Sequence, residues 1–110
     1  MSGIADTPEP PYYAVIFTPI RDGDKDYTAT NDLMMRLAAK QPGFLGIESA
    51  GTGDGFGITV SYWRNRANIA AWRNQADHAL AQERGRGEWY ATYRLRIAKV
   101  ESDRNWRRNS

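Results

Sequence analysis

Residues 44–63 read FLGIESAGTGDGFGITVSYW, and the reading of their glycines decides the fold. Gly51-Thr52-Gly53-Asp54-Gly55, with Gly57 just beyond, is dense enough to suggest a phosphate-cradling loop. Such a loop runs from a strand into a helix. Here it lies between two stretches rich in branched and aromatic residues, Phe44 to Ala50 and Phe56 to Trp63. It therefore joins strand to strand, as a hairpin connection.

Working outward, Pro42-Gly43 stops a helix that precedes the hairpin. Between Tyr27 and Lys40 the apolar residues Leu33, Met34, Leu37 and Ala38 form an amphipathic stripe, with Asp26 as its cap. Before it, Tyr12 to Thr18 reads as a strand ending at Pro19, and Asp22-Gly23-Asp24 as a turn. After the hairpin, Asn65 is placed to cap a second helix whose core face is Ile69, Trp72, Ala76, Ala79 and Leu80. The run Asn74-Gln75-Ala76-Asp77 is expected to interrupt that helix, because Asn and Asp compete for backbone partners. Gly85 and Gly87 end it, and Glu88 to Glu101 is a long final strand. The order is β-α-β-β-α-β. Right-handed crossovers then place both helices on one face of a four-stranded antiparallel sheet, an α+β ferredoxin-like arrangement.

Composition narrows the function. At 110 residues the chain holds one domain. Residues 1–11 are expected to be a flexible, proline-rich arm, 12–101 the folded domain and 102–110 a basic tail. There is no cysteine, which excludes disulfides, thiolate metal sites and cysteine nucleophiles. One histidine, His78, is too few for a multi-histidine metal site within a subunit. No run approaches the roughly 20 apolar residues of a membrane span, and the N-terminus lacks the pattern of a signal peptide. A soluble, cytoplasmic domain is expected. The net charge of +2 is too small for a nucleic-acid binder. From Arg84 to Ser110, however, eight basic residues face three acidic ones.

The final strand alternates Trp89, Ala91, Tyr93, Leu95 and Ile97 with Tyr90, Thr92, Arg94, Arg96, Ala98 and Val100. In the third strand, Phe56, Ile58, Val60 and Tyr62 alternate with Gly57, Thr59, Ser61 and Trp63. Neither face is plainly water-facing. Helices cover one, so the other needs a second cover, and a homodimer packed sheet to sheet is expected.

The stretches YYAVIF, LAAKQPGFLGIES, GITVSYW, IAAW and AQERGRGEWYATYRLRIAKVE resemble the antibiotic biosynthesis monooxygenase (ABM) family. The resemblance covers about Tyr12 to Glu101 and implies a dimeric α+β barrel of ferredoxin-like subunits. The family includes monooxygenases that need no cofactor, and haem-degrading enzymes. Its cofactor-free members are similar to one another in an Asn, a Trp four residues later and a Tyr six beyond that. This chain has Asn68, Trp72 and His78 at that spacing, so histidine stands where the family pattern has tyrosine. In the haem-degrading branch the iron-binding histidine corresponds to Gln82, and the first strand brings in an asparagine that Tyr12 to Ile20 lacks.

The resemblance therefore implies a monooxygenase without a cofactor, acting on an anthrone- or quinol-like aromatic molecule. The Asn68 amide and Trp72 indole would donate to the substrate oxygen, and His78, which sits about 120° further round an ideal helix and joins their cavity only if the helix breaks near Asn74 to Asp77, would carry the proton. Strand alternation adds Arg94 for an anionic intermediate, and Phe17, Tyr62, Trp63 and Tyr90 as flat walls. Other readings stay open. Trp72 lies on an apolar stripe and serves a core equally well, Asn68 is close to the cap, and Arg94 and Arg96 suit pairing across a dimer with carboxylates such as Glu48. A non-catalytic dimeric module that binds or senses a small molecule is the alternative function, and haem binding or degradation is a third.

Overall fold

The computed structural model describes residues 3–21, 35–52, 56–83 and 90–108, and at 21, 78–83 and 90–92 it describes the backbone alone. Strand β1 (Tyr12–Arg21) is followed by a helical segment, α1 (residues 35–39), and then by β2 (Phe44–Gly51), β3 (Gly57–Trp63), helix α2 (Arg66–Glu83) and β4 (Tyr90–Val100). The expected first helix over 27–40 is described from residue 35 onward. Its earlier part lies outside the described residues.

The four strands form one antiparallel sheet in the order β2-β3-β1-β4, the ferredoxin-like arrangement. The glycine-rich stretch joins β2 to β3 as a hairpin, paired from Phe44↔Trp63 to Gly51↔Gly57. Both helices lie on one face. Ala38 of α1 and Ile69 of α2 share a buried cluster with Val15 and Trp63, and Tyr13, Phe44, Trp72, Leu95 and Ile97 pack around it. Trp63 is fully buried at its centre. Its ring meets Phe44 edge-on at 5.4 Å and Trp72 at 5.4 Å, tilted by 32°.

Two local expectations need correction. β1 does not end before Pro19 but runs to Arg21. The β1–β3 ladder stops at Phe17↔Thr59, and Pro19 falls between that pair and the isolated bridge Ile20↔Phe56. A residue without an N–H is tolerated where regular pairing on one side has ended. Second, α2 is not interrupted at Asn74 to Asp77 but continues to Glu83. Ala70, Ala71 and Ala76 are strong helix formers, and Ala76 is buried against the sheet side, so packing outweighs the polar residues' local preferences.

The N-terminal arm makes specific contacts with the sheet. The Ala5 N–H donates to Glu48 Oε2 at 2.9 Å, and the Tyr62 hydroxyl donates to Glu48 Oε1 at 2.7 Å. Thr7 Oγ1 donates to the Tyr12 hydroxyl at 3.0 Å, which in turn donates to Asp103 Oδ2 at 2.6 Å. Tyr12 and Tyr62 also meet edge to face at 5.8 Å. The arm and the start of the tail are thus strapped across one end of the sheet face opposite the helices. Gly46 admits the arm there, since a Cβ at that position would lie 2.8 Å from Ala5 Cβ. Beyond the strap the same face stays open: Ile20 is 46%, Phe56 43% and Ile58 42% exposed. No helix among the described residues is long and apolar enough to cross a membrane.

The strap carries a pH signature. Burial and the hydrogen bond to Glu48 push the Tyr62 hydroxyl up from 10.0 to about 12. The hydrogen bond to Asp103 leads the causes that raise Tyr12 above 10.0. Folding favours the neutral phenol of both, so their contribution is complete below about pH 10 and is lost as pH rises through the folded-state values. Thermal unfolding followed against pH is expected to show an alkaline loss of stability between about pH 10 and 12, much reduced in a Tyr12→Phe/Tyr62→Phe variant. The same alkaline limb in that variant would locate the effect elsewhere.

Candidate functional site

The site is built on the first three turns of α2. The Asn68 N–H donates to Asn65 Oδ1 at 2.9 Å, so Asn65 caps the helix as its sequence position suggests. Asn68 and Trp72 follow at i and i+4, on one side of the helix. Asn68 is half-buried and its amide lies against the Pro42-Gly43 turn. Gly43 has φ +83°, and a Cβ there would run into the Asn68 side chain. The Gly43 carbonyl also accepts from the Arg64 N–H at 2.8 Å, which locks the turn to the end of β3. The glycine is required twice, for its backbone angle and for the space it leaves.

Trp72 is the more telling residue. Its ring packs on Trp63, yet its indole Nε1 is buried with no acceptor among the described residues. A buried donor left unpaired costs about 1–3 kcal/mol. The neighbouring Trp63 does not share this cost, because its Nε1 donates to Ser61 Oγ at 2.8 Å. Two adjacent indoles in one core are therefore treated differently. One is satisfied internally, and the other is unpaired among the described residues.

The remaining expected residues divide between the two sheet faces. Phe17 and Trp63 stand on the helix side, where Phe17 packs on Tyr93 at 5.3 Å. Tyr62 is on the opposite face, bound to Glu48. Arg94 pairs with Thr18 in the β1–β4 register, which puts it on that opposite face too, and it is exposed. The walls read from the sequence therefore do not enclose one cavity: the sheet separates Tyr62 and Arg94 from Trp72. Both oxygens of Glu48 are engaged within the chain, by Ala5 and Tyr62. The side chains of His78 and Tyr90 lie outside the described residues. Position 78 follows Trp72 by six residues on an unbroken helix, about 120° round the axis. Among the described residues no three His, Cys, Asp or Glu side chains gather as metal ligands.

The sequence reading gave Ser61 no role and Gly43 only that of a helix stop, though signals for more were present at both. Ser61 and Trp63 are two apart in a strand and so share a face. A Pro-Gly turn between a helix and a strand is a natural place for a positive φ.

The domain is ferredoxin-like, and its second helix bears the Asn68/Trp72 pair. The antibiotic biosynthesis monooxygenase model matches residues 12–84, and the chain belongs to that family. It is 48% identical to the uncharacterized protein YqjZ of Bacillus subtilis (strain 168), over 100% of this chain and 97% of YqjZ. A shorter match, 37% identical over 46 residues, covers 42% of this chain and 21% of the jasmonate monooxygenase ABM of Pyricularia oryzae. Among solved structures, SnoaB from Streptomyces nogalater, a cofactor-independent oxygenase, superposes with a TM-score of 0.67 at 12% identity, covering 84% of this chain and 95% of SnoaB. A dimeric ferredoxin-like protein of unknown function from Thermobifida fusca gives 0.59 at 11% identity, covering 88% and 99%. At these identities the likeness to both structures is one of fold.

Replacing Gly43 with Ala is expected to cost about 1–3 kcal/mol in chemical denaturation, through the strained φ and the displaced Asn68 side chain. A cost below about 0.5 kcal/mol, within the range of an ordinary surface change, would show that Asn68 is not seated against this turn.

Proposed function

We propose that this chain is a cofactor-independent monooxygenase that oxidises an anthrone- or quinol-like aromatic molecule with O2. The observation that carries the reading is the buried, unpaired Nε1 of Trp72. It is a donor without an acceptor among the described residues, on the side of α2 that also bears Asn68. Family membership and the partial match to a jasmonate monooxygenase support oxygenation, and the shared fold with SnoaB is in keeping with its cofactor-independent form.

The substrate in this scheme supplies every electron. Proton removal from an anthrone leaves a carbanion whose charge is spread onto its oxygen. That carbanion reduces O2, a carbon–oxygen bond forms, and the resulting peroxide breaks down. One oxygen atom stays as a new carbonyl and the other leaves as water. The protein's part is to hold the oxyanion and manage the protons. Trp72 Nε1 and the Asn68 amide donate to the substrate oxygen, lowering the cost of the first deprotonation. His78 is assigned the proton by its chemistry alone, since imidazole titrates close to neutral pH; on the unbroken helix its position lies about 120° round the axis from Trp72, so it would have to serve the substrate from a different side than the two donors. Phe17 offers apolar surface on the helix side, while Trp63, fully buried, backs the Trp72 ring instead of meeting the substrate. Arg94 and Tyr62, on the opposite face of the sheet, take no part in this scheme.

The reading includes a homodimer in the cytoplasm, packed through the open sheet face. The exposed Ile20, Phe56 and Ile58 support it, as their contiguous apolar surface calls for a cover.

Oxygen uptake with a simple anthrone and a dihydroquinone, in the presence of chelator, tests the proposal. The wild type is expected to exceed the uncatalysed rate. Trp72→Phe, which keeps a ring but loses the donor, should lower turnover by about 10²–10³-fold. His78→Ala should lower it by about 10²–10⁴-fold. Tight binding with no uptake above background would favour the binding module, and a visible absorbance change on adding haem would favour the haem branch.

A further inference from the structure

We infer that Ser61 is a positioning residue that sets the direction of the Trp72 donor through the ring of Trp63. The inference rests on the reading of Trp72 as the group that meets the substrate oxygen, and adds a residue that touches no substrate.

Ser61 sits in the middle of β3, paired with Val15 on one side and Ile47 on the other. It is 4% exposed, and it is the one buried polar side chain among the described residues. Packing alone would place a branched aliphatic residue at such a position. A hydroxyl there is costly unless it is hydrogen-bonded, and its bond is the one from Trp63 Nε1 at 2.8 Å. A fully buried indole in an apolar slot has more than one ring orientation of similar shape. The Ser61 oxygen selects the orientation that brings Nε1 to it.

Trp72 has no comparable anchor. Its Nε1 is unpaired among the described residues, so its own hydrogen bonding does not fix the ring. What holds it is packing, and the Trp63 face at 5.4 Å and 32° is its aromatic support. Orientation thus passes from Ser61 Oγ to the Trp63 ring, and from that ring to the Trp72 ring. A donor that must meet a developing oxyanion works best when it needs no reorganisation, and small errors of placement are expensive.

The test uses the full-length chain labelled with ¹⁵N at its indoles, so that each tryptophan gives its own N–H signal. Ser61→Ala is expected to move the signals of both Trp63 and Trp72 and to leave Trp106, which is 81% exposed, in place. It should lower kcat with an anthrone by about tenfold while KM changes little, the pattern of a misdirected transition-state donor. Ser61→Thr, which keeps the acceptor oxygen, should restore both readouts. Movement of the Trp63 signal alone, with Trp72 and kcat unchanged, would overturn the proposal. Should Ser61→Ala fail to fold, Trp63→Phe removes the donor with its ring. A Trp72 signal unmoved in that variant would equally overturn the relay. A wild type without turnover would sink the oxygenase reading instead. The relay would then be decided by whether a hydroxylated anthraquinone shifts the Trp72 signal in the wild type and fails to do so in Ser61→Ala.

Discussion

The structure depends on the burial of Trp63. This ring is fully enclosed at the end of β3, and the elements on the helix side meet around it: Phe44 from β2, Val15 from β1, Ala38 from α1, and Ile69 and Trp72 from α2. Truncating a buried tryptophan typically costs about 3–5 kcal/mol, a large fraction of what holds a domain of this size together. A core built on an indole must also find an acceptor for the indole N–H. Ser61 supplies it from two residues away on the same strand face. One hydrogen bond therefore satisfies both the Trp63 indole and the Ser61 hydroxyl beneath Trp72.

The sheet divides the molecule's work. On the helix side lie the aromatic column and the α2 pair, Asn68 and Trp72. On the other side, Glu48 and Tyr12 tie the N-terminal arm and the start of the tail across one end, leaving an apolar remainder around Ile20, Phe56 and Ile58. The proposed ligand chemistry uses the first face and the proposed association the second. Arg94 and Tyr62 fall on the second because strand geometry alternates side chains, whatever their chemical suitability for a substrate pocket.

Much of this was legible in the sequence because local rules decide it. The glycine-rich stretch between two branched, aromatic runs reads as a hairpin, the Asn65 cap announces α2, and the order of elements leaves the ferredoxin-like arrangement. The Asn68/Trp72 spacing was legible as well. What stayed hidden depends on contacts between distant residues. Nothing near Ala5 points to Glu48, and nothing near Tyr12 points to Asp103. The continuity of α2 through Asn74 to Asp77 depends on tertiary burial of Ala76, which local propensity does not register. Tyr62 and Trp63 show a different failure. Both look like walls by composition, but adjacent residues of a strand face opposite ways, so their separation was available from period two alone.

The central claim is that Trp72 Nε1 is a donor held for a ligand oxygen. The most direct measurement is a crystal structure of the wild-type chain with a hydroxylated anthraquinone bound. The account predicts a ring oxygen about 2.9 Å from Trp72 Nε1, on the side shared with Asn68. A ligand bound elsewhere, with Trp72 Nε1 donating to an acceptor of the protein itself, would contradict it.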